Sequence, residues 1–287
     1  MVRKLSALNI EDFGHNSYRD YVQALVDDRK RNPSKAQFQA LREEWKNRVD
    51  QYVNNGGSPV VVQLWPEAFP AKVTFLNLYS HPNENSVQIS ILGELKKIRR
   101  LLNSCPCCGE LGTPGTLDHY LPKDDYPHFS VIPANLVPMC DICQGEKKTK
   151  VGNQQNPRFF IHPYFDNFLT DELVKLEIIP PFEHPHFTLV PSKNLPAQDK
   201  AIVISHYKEL NIHKRYNEFL ETSYIKLLRA ADDIRKDHGN VKNRIKDFHK
   251  LAKLDGTNSW DSILYSSALE NEDLLNFLQN EDLPEYL

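Results

Sequence analysis

Apolar residues along the first hundred positions recur at helical spacing. Tyr18, Tyr21, Val22, Leu25 and Val26 fall at i, i+3, i+4, i+7 and i+8, one stripe of an amphipathic helix. Asn32-Pro33 ends that helix, and Ser34-x-x-Gln37 has the form of a capping box for the next. The second helix presents Phe38, Leu41, Trp45, Val49 and Tyr52 before Asn54-Asn55-Gly56-Gly57 breaks it. Residues 58–80 are interrupted by prolines around Val60-Val61-Val62, which predicts a short strand or an irregular packing segment. A third helix is expected over about 87–103, with Ile91, Leu95, Ile98 and Leu102 on its buried side.

The pattern changes between 105 and 150, where Cys, Pro and Gly dominate and only the stretch after Cys140 suits a helix. Residues 157–196 alternate short apolar runs with seven prolines, predicting a loop-rich connection with one or two short strands, one of them over 173–179. From about 197 helical spacing returns. Tyr216, Phe219, Leu220, Leu227, Leu228, Ala231 and Ile234 form a long stripe. Gly239 interrupts it, Val241, Ile245, Phe248 and Ala252 continue it, and two shorter helices are expected to finish the chain. The fold class implied is α+β, a mainly helical body with a small metal-containing insert. By segment this gives a helical region over 1–104, the insert over 105–155, and a loop-rich connection leading into helices over 156–287. There is no internal repeat or low-complexity tract.

Composition narrows the class. No run approaches the roughly 18 apolar residues of a membrane span. The opening residues also lack the apolar core, about 7–15 residues long, of a secretory signal. A cytoplasmic protein that does not engage membranes is expected. The net charge of −3 weighs against a nucleic-acid partner, but it is unevenly spread. Glu270, Glu272, Asp273, Glu281, Asp282 and Glu285 fill the last 18 residues with no Lys or Arg, so the remainder is net positive and the tail could serve for docking or autoinhibition. Basic clusters at Lys96, Lys97, Arg99 and Arg100, and at Lys147, Lys148 and Lys150, flank the cysteine segment. Such runs are ordinarily solvated helix faces; here they also offer phosphate contacts.

All five cysteines lie between Cys105 and Cys143, clustered rather than scattered as a disulfide framework would be. Cys105-Pro-Cys-Cys108 and Cys140-Asp-Ile-Cys143 offer four thiolates, and two Cys-x-x-Cys turns complete a tetrahedral Zn²⁺ site. Four protein ligands leave no open position, so this zinc is expected to be structural. Cys107 is left as a spectator. A plain zinc ribbon separates its pairs by about 15–20 residues. Here 31 residues intervene.

Within that interval the sequence resembles the HNH nuclease family in its zinc-clamped ββα-metal form. The residues that carry the resemblance are Cys105-Pro-x-Cys108-Gly109, Leu117-Asp118-His119-x-x-Pro122-Lys123, Asn135-Leu136-Val137-Pro138 and Cys140-x-x-Cys143-x-x-x-Lys147. The resemblance implies a hairpin presenting Asp118 and His119, with a helix near the second cysteine pair. Asp118 would ligate a catalytic Mg²⁺ or Mn²⁺. His119 would act as general base. Asn135 would tie down the histidine loop, and Lys147 would face a phosphate. Where the family has Asn or His as second ligand of that ion, this chain has Gln144, whose longer side chain moves the amide oxygen outward.

The implied activity is hydrolysis of phosphodiester bonds in DNA, double-stranded before single-stranded, with RNA not excluded. Tyr126 to Pro138 is also similar to HNH effectors of bacterial antiphage defence, the Septu-type and retron-linked nucleases, which work with an ABC-type ATPase. Two other readings stay open: a zinc-organised nucleic-acid-binding or adaptor module without catalysis, which Gln144 would explain, and a stand-alone restriction-type nuclease. Other polar residues read more plainly. Asp124 and Asp125 suit a solvated loop tip, His128 a surface loop, and His162, among large apolar neighbours, a hydrogen-bonded structural role.

Overall fold

The structure is a computed structural model that describes residues 3–284, so Glu285 of the acidic run lies outside the described residues. It is α+β and mostly helical, with two small two-stranded antiparallel sheets. The chain divides into two compact units. One takes in Lys4–Asn103 and Thr113–Asp166; the other takes in Ser104–Gly112 and the described chain from Asn167 onward, with Arg3.

The first unit is built on α1 (Tyr18–Asp27), α2 (Ser34–Asn54), α3 (Lys72–Ser80) and α4 (Ile89–Leu101). Ser17 caps α1 by accepting from the Asp20 amide, and Tyr21, Val22, Leu25 and Val26 are buried as the spacing predicts. The expected capping box at Ser34 does not form. Pro33 holds the cap position, with the ring-fixed φ that already suits a helix start, and the Ser34 hydroxyl donates back to the Arg31 carbonyl at 3.3 Å. Phe38, Trp45, Val49 and Tyr52 of α2 are buried. No strand forms around Val60-Val61-Val62. Val60 and Val61 lie in turns and Val62 in irregular backbone, followed by a short 3-10 helix over Pro66–Ala71, because Pro59, Pro66 and Pro70 lack the amide protons a ladder needs.

The same unit holds β1 (Thr116–His119), β2 (Leu136–Met139) and α5 (Asp141–Lys147). The strands pair with Asp118 opposite Val137 and His119 opposite Leu136. The loop joining them, residues 120–135, is almost wholly buried. Buried irregular backbone must find partners for its polar groups. The aromatic stripes of α1 and α2 supply them through their polar tips. Tyr21 Oη donates to Val131 O at 3.2 Å, Trp45 Nε1 to His128 O at 2.8 Å, and Tyr52 Oη to Ala134 O at 3.3 Å. Ser130 Oγ donates to Phe75 O of α3 at 2.7 Å.

The second unit contains β3 (Val174–Ile179), β4 (His186–Pro191), α6 (Ala197–Glu209), α7 (Ile212–Lys236), α8 (Val241–Ala252), α9 (Trp260–Glu270) and α10 (Glu272–Asn280). Burial alternates along β3, the period of a strand with one face on a core. That face meets α9, whose Ser267 hydroxyl accepts from the Leu176 amide at 3.0 Å. The first cysteine turn is fastened within this unit. Trp260 Nε1 donates to Cys108 O and His206 Nε2 to Cys107 O, each at 2.6 Å. Among the described residues no helix is long and apolar enough to cross a membrane.

Candidate active site

The thiol sulfurs of Cys105, Cys108, Cys140 and Cys143 all lie within 4.8 Å of one another, and all five cysteines are free of disulfides. A tetrahedral Zn²⁺ with bonds of about 2.3 Å needs sulfurs roughly 3.8 Å apart. Four close thiols thus suit zinc. In the first turn Gly109 adopts φ +74°, and its amide closes the turn onto Cys105 O at 2.7 Å. In the second, Cys140 caps α5 and its sulfur accepts from the Cys143 amide at 3.4 Å. Cys107 is buried and is not one of the four.

Asp118 and His119 end β1 and line one cleft of about 700 Å³. A Cβ on Gly115 would have to displace the exposed Asp141 carboxylate. His119 is buried, and its Nε2 lies 2.9 Å from the Ser130 carbonyl. A carbonyl can only accept, so Nε2 carries the proton and Nδ1 keeps its lone pair in the neutral ring. Burial pushes the imidazole down to about 4, against the opposing pull of Ser130 O and the Asp118 carboxylate. Near pH 7 the ring is therefore a neutral base. The Tyr79 ring meets it edge-on at 4.7 Å, and Tyr79 Oη donates to Leu117 O at 3.0 Å.

Asn135 is fully buried and uses both ends of its amide. Its Oδ1 accepts from the Leu121 amide at 2.7 Å and from Tyr52 Oη at 3.2 Å. Its Nδ2 donates to Leu121 O at 3.0 Å and Phe129 O at 3.3 Å. The residue thus pins the chain that follows His119. Behind it stands His162, also fully buried. His162 Nδ1 accepts from the Tyr164 amide at 3.2 Å, so Nε2 is the protonated nitrogen and donates to Tyr52 Oη at 3.0 Å. Burial and the Arg158 charge hold this imidazole well below its usual range.

Lys147 does not face the cleft. Its side chain is 1% exposed; Nζ donates to His119 O at 2.7 Å and lies 3.0 Å from Asp118 Oδ2, an ion pair too oblique for a hydrogen bond. The reason is helical spacing. Cys143 and Lys147 are four residues apart, so the face of α5 that seats the cysteine also buries the lysine. A buried ammonium needs a partner, and β1 provides it. Gln144 does reach the site: Nε2 donates to Asp118 Oδ1 at 3.3 Å, which brings the amide beside the carboxylate. No second group of three or more His, Cys, Asp or Glu ligands occurs among the described residues. A hard divalent ion at Asp118 would draw on its carboxylate, the Gln144 amide oxygen and water, a donor set that suits Mg²⁺.

Asp124 is exposed and pairs with Lys72 at 3.4 Å. His128, expected at the surface, is instead fully buried, its ring at right angles to Trp65 and packed on Phe129. The short 3-10 turn Pro127–Phe129 carries it inward, and neither ring nitrogen has a hydrogen-bond partner among the described residues. The roles of Tyr52, Tyr79 and Ser130 are not visible in the motifs. The only signal for them is the choice of Tyr, Trp and Ser over Phe and Ala at buried stripe and loop positions.

No protein-family model matches the chain, and no solved structure matches it. It is 36% identical over 116 residues to protein ea31 of Escherichia phage lambda. That stretch covers 39% of this chain and 39% of the relative, so less than half of either protein is compared.

Proposed function

We propose that the chain is a metal-dependent endonuclease of the HNH type, hydrolysing phosphodiester bonds in DNA. The observation that carries this reading is the pairing of Asp118 with a neutral His119 in one cleft, the histidine fixed by Ser130 O so that Nδ1 is its basic nitrogen. In this reaction His119 Nδ1 takes a proton from the attacking water. The water oxygen bonds to phosphorus, and the bond from phosphorus to the 3′ oxygen breaks, the leaving oxygen being protonated from solvent. Lys147 holds the Asp118 carboxylate and the His119 backbone in place, and Asn135 fixes the loop behind them. A Mg²⁺ or Mn²⁺ held by Asp118 with Gln144 would supply Lewis-acid stabilisation of the charge developing on the phosphate. The four-cysteine zinc serves as scaffold. The antiphage setting and ATPase partner implied by the finer resemblance find no echo in the name of the phage relative.

The test is plasmid nicking by the purified chain with Mg²⁺ or Mn²⁺. His119→Ala should lower the rate by on the order of 10³-fold while leaving zinc content and melting temperature close to those of the parent. Cleavage that survives His119→Ala rejects the assignment. Absence of cleavage by the parent with either ion favours the adaptor reading, in which Gln144 has replaced a working ligand.

A further inference from the structure

Some cations of this molecule are matched by carboxylates: Arg19, Arg29, Arg42, Lys46, Arg48 and Lys147 all make ion pairs. Others are not, and the cleft beside Asp118 gathers five of them. Lys96, Arg99, Arg100, Lys123 and Lys148 line it, and none of the five makes an ion pair among the described residues. Its two carboxylates are already matched, Asp118 by Lys147 and Asp124 by Lys72. The cleft therefore carries a surplus of positive charge with no acceptor among the described residues.

Two of these cations are placed rather than loose. Arg99, near the end of α4, donates through Nη1 to Pro114 O at 2.7 Å and to Gly115 O, the residues leading into β1. No described residue accepts from its Nε or Nη2, so a fixed guanidinium presents two free donors beside the catalytic strand. Lys148 follows α5 with φ +50° and ψ −125°, a conformation side-chain-bearing residues rarely adopt. That backbone turn sends Lys148 to the cleft while Lys147 points inward.

We infer that Arg99 and Lys148, with Lys96 and Arg100 beside them, form the phosphate-binding wall of the cleft, and that its ligand is the backbone of a DNA duplex. This rests on the nuclease reading and deepens it: the role expected of Lys147 passes to Lys148 and to helix α4, outside the cysteine segment altogether. A guanidinium with a free fork suits a phosphate, and a row of unpaired cations suits a polyanion. These contacts read no base sequence.

The experiment is binding of a fluorescent 30-base-pair duplex to the zinc-loaded full chain in buffer without added Mg²⁺ or Mn²⁺, which prevents cleavage and leaves the zinc in place, over a series of salt concentrations. In the triple variant Lys96→Gln, Arg100→Gln, Lys148→Gln, the Kd should rise by on the order of 10-fold or more, and the slope of log K against log salt should shrink by about 0.9 for each lost contact. Arg99→Lys keeps the charge but not the fork, and should weaken binding several-fold with little change in slope. A control triple on α8, Lys242→Gln, Lys246→Gln, Lys250→Gln, should leave both unchanged. Equal affinity and slope in the cleft triple, with unaltered circular dichroism, overturns the inference, as does a parent that binds no duplex at low salt. If the cleft variants lose binding but the parent never cuts with Mg²⁺ or Mn²⁺, the wall stands and the nuclease reading falls. If the parent cuts and the variants bind and cut as it does, the reverse holds.

Discussion

The two hairpins of this protein have the same topology and opposite surroundings. β1–β2 has four-residue strands joined by a buried loop, residues 120–135; β3–β4 has six-residue strands joined by an exposed turn at 180–185. The longer hairpin is the more regular, yet its polar residues face solvent, as in the surface pair Lys175–Glu270. The shorter one adds to its four-residue ladder a set of ties, from Asn135 within its own loop, from Lys147 and from the tips of Tyr21, Trp45 and Tyr52. A site that must hold two side chains in one geometry gains more from such cross-ties than from strand length, because each tie orders a buried group that would otherwise be unpaired.

The contrast can be broken most severely at Asn135. Asn135→Ala leaves the Leu121 amide, the Leu121 and Phe129 carbonyls and one Tyr52 contact without their partner. At about 1–3 kcal/mol for each buried group left unsatisfied, some relieved by water, a loss of about 4 kcal/mol is expected in urea denaturation. A change below about 1 kcal/mol would mean the loop is held by other means. Lys147→Met is next. It strands the Asp118 carboxylate and the His119 carbonyl, at a cost of about 3 kcal/mol. A variant with parental stability and parental nicking would show that Lys147 does not organise the site.

Acid should also separate the regions. Burial holds His128 and His162 of the β1–β2 unit well below the usual histidine range. The unfolded chain takes up these protons below about pH 6.5, whereas the native state does not. Native stability is then complete above that value and falls as pH drops, by about 1.4 kcal/mol per pH unit for each group. His128→Phe, which replaces a ring whose nitrogens bond nothing, should flatten the fall in melting temperature between pH 7 and pH 5. An unchanged slope rejects the assignment. The smallest effect belongs to the other hairpin. Lys175→Ala removes a surface ion pair and should cost about 0.2–1 kcal/mol, with no effect on nicking.

Much of the helical body was legible. The stripes of α1, α2 and α7 follow from local periodicity, and Tyr21, Trp45, Tyr52, Tyr216 and Leu228 are buried where that periodicity puts them. The failures are equally physical. Ser34 lost its capping role to the proline before it, whereas the valine run at 60–62, open between a strand and an irregular segment, took the irregular course among three nearby prolines. His128 looked like a loop residue because loops are ordinarily exposed; this loop is not, since aromatic donors from distant helices satisfy its carbonyls.

What the sequence alone determined is the set of groups whose spacing is covalent: the four cysteines, the neighbouring Asp118 and His119, and the helix that must begin at the second cysteine pair. Spacing along the chain fixes which atoms can share one turn or one strand end. The tertiary structure alone decided where the cations go. Lys147 and Lys148 are neighbours in a basic run, and nothing local distinguishes them. Only the packing of α5 against β1 buries the first beside Asp118 and leaves the second in the cleft. Arg99, many residues before the motif, reaches the same cleft because α4 folds back beside Pro114 and Gly115, a contact no sequence period encodes.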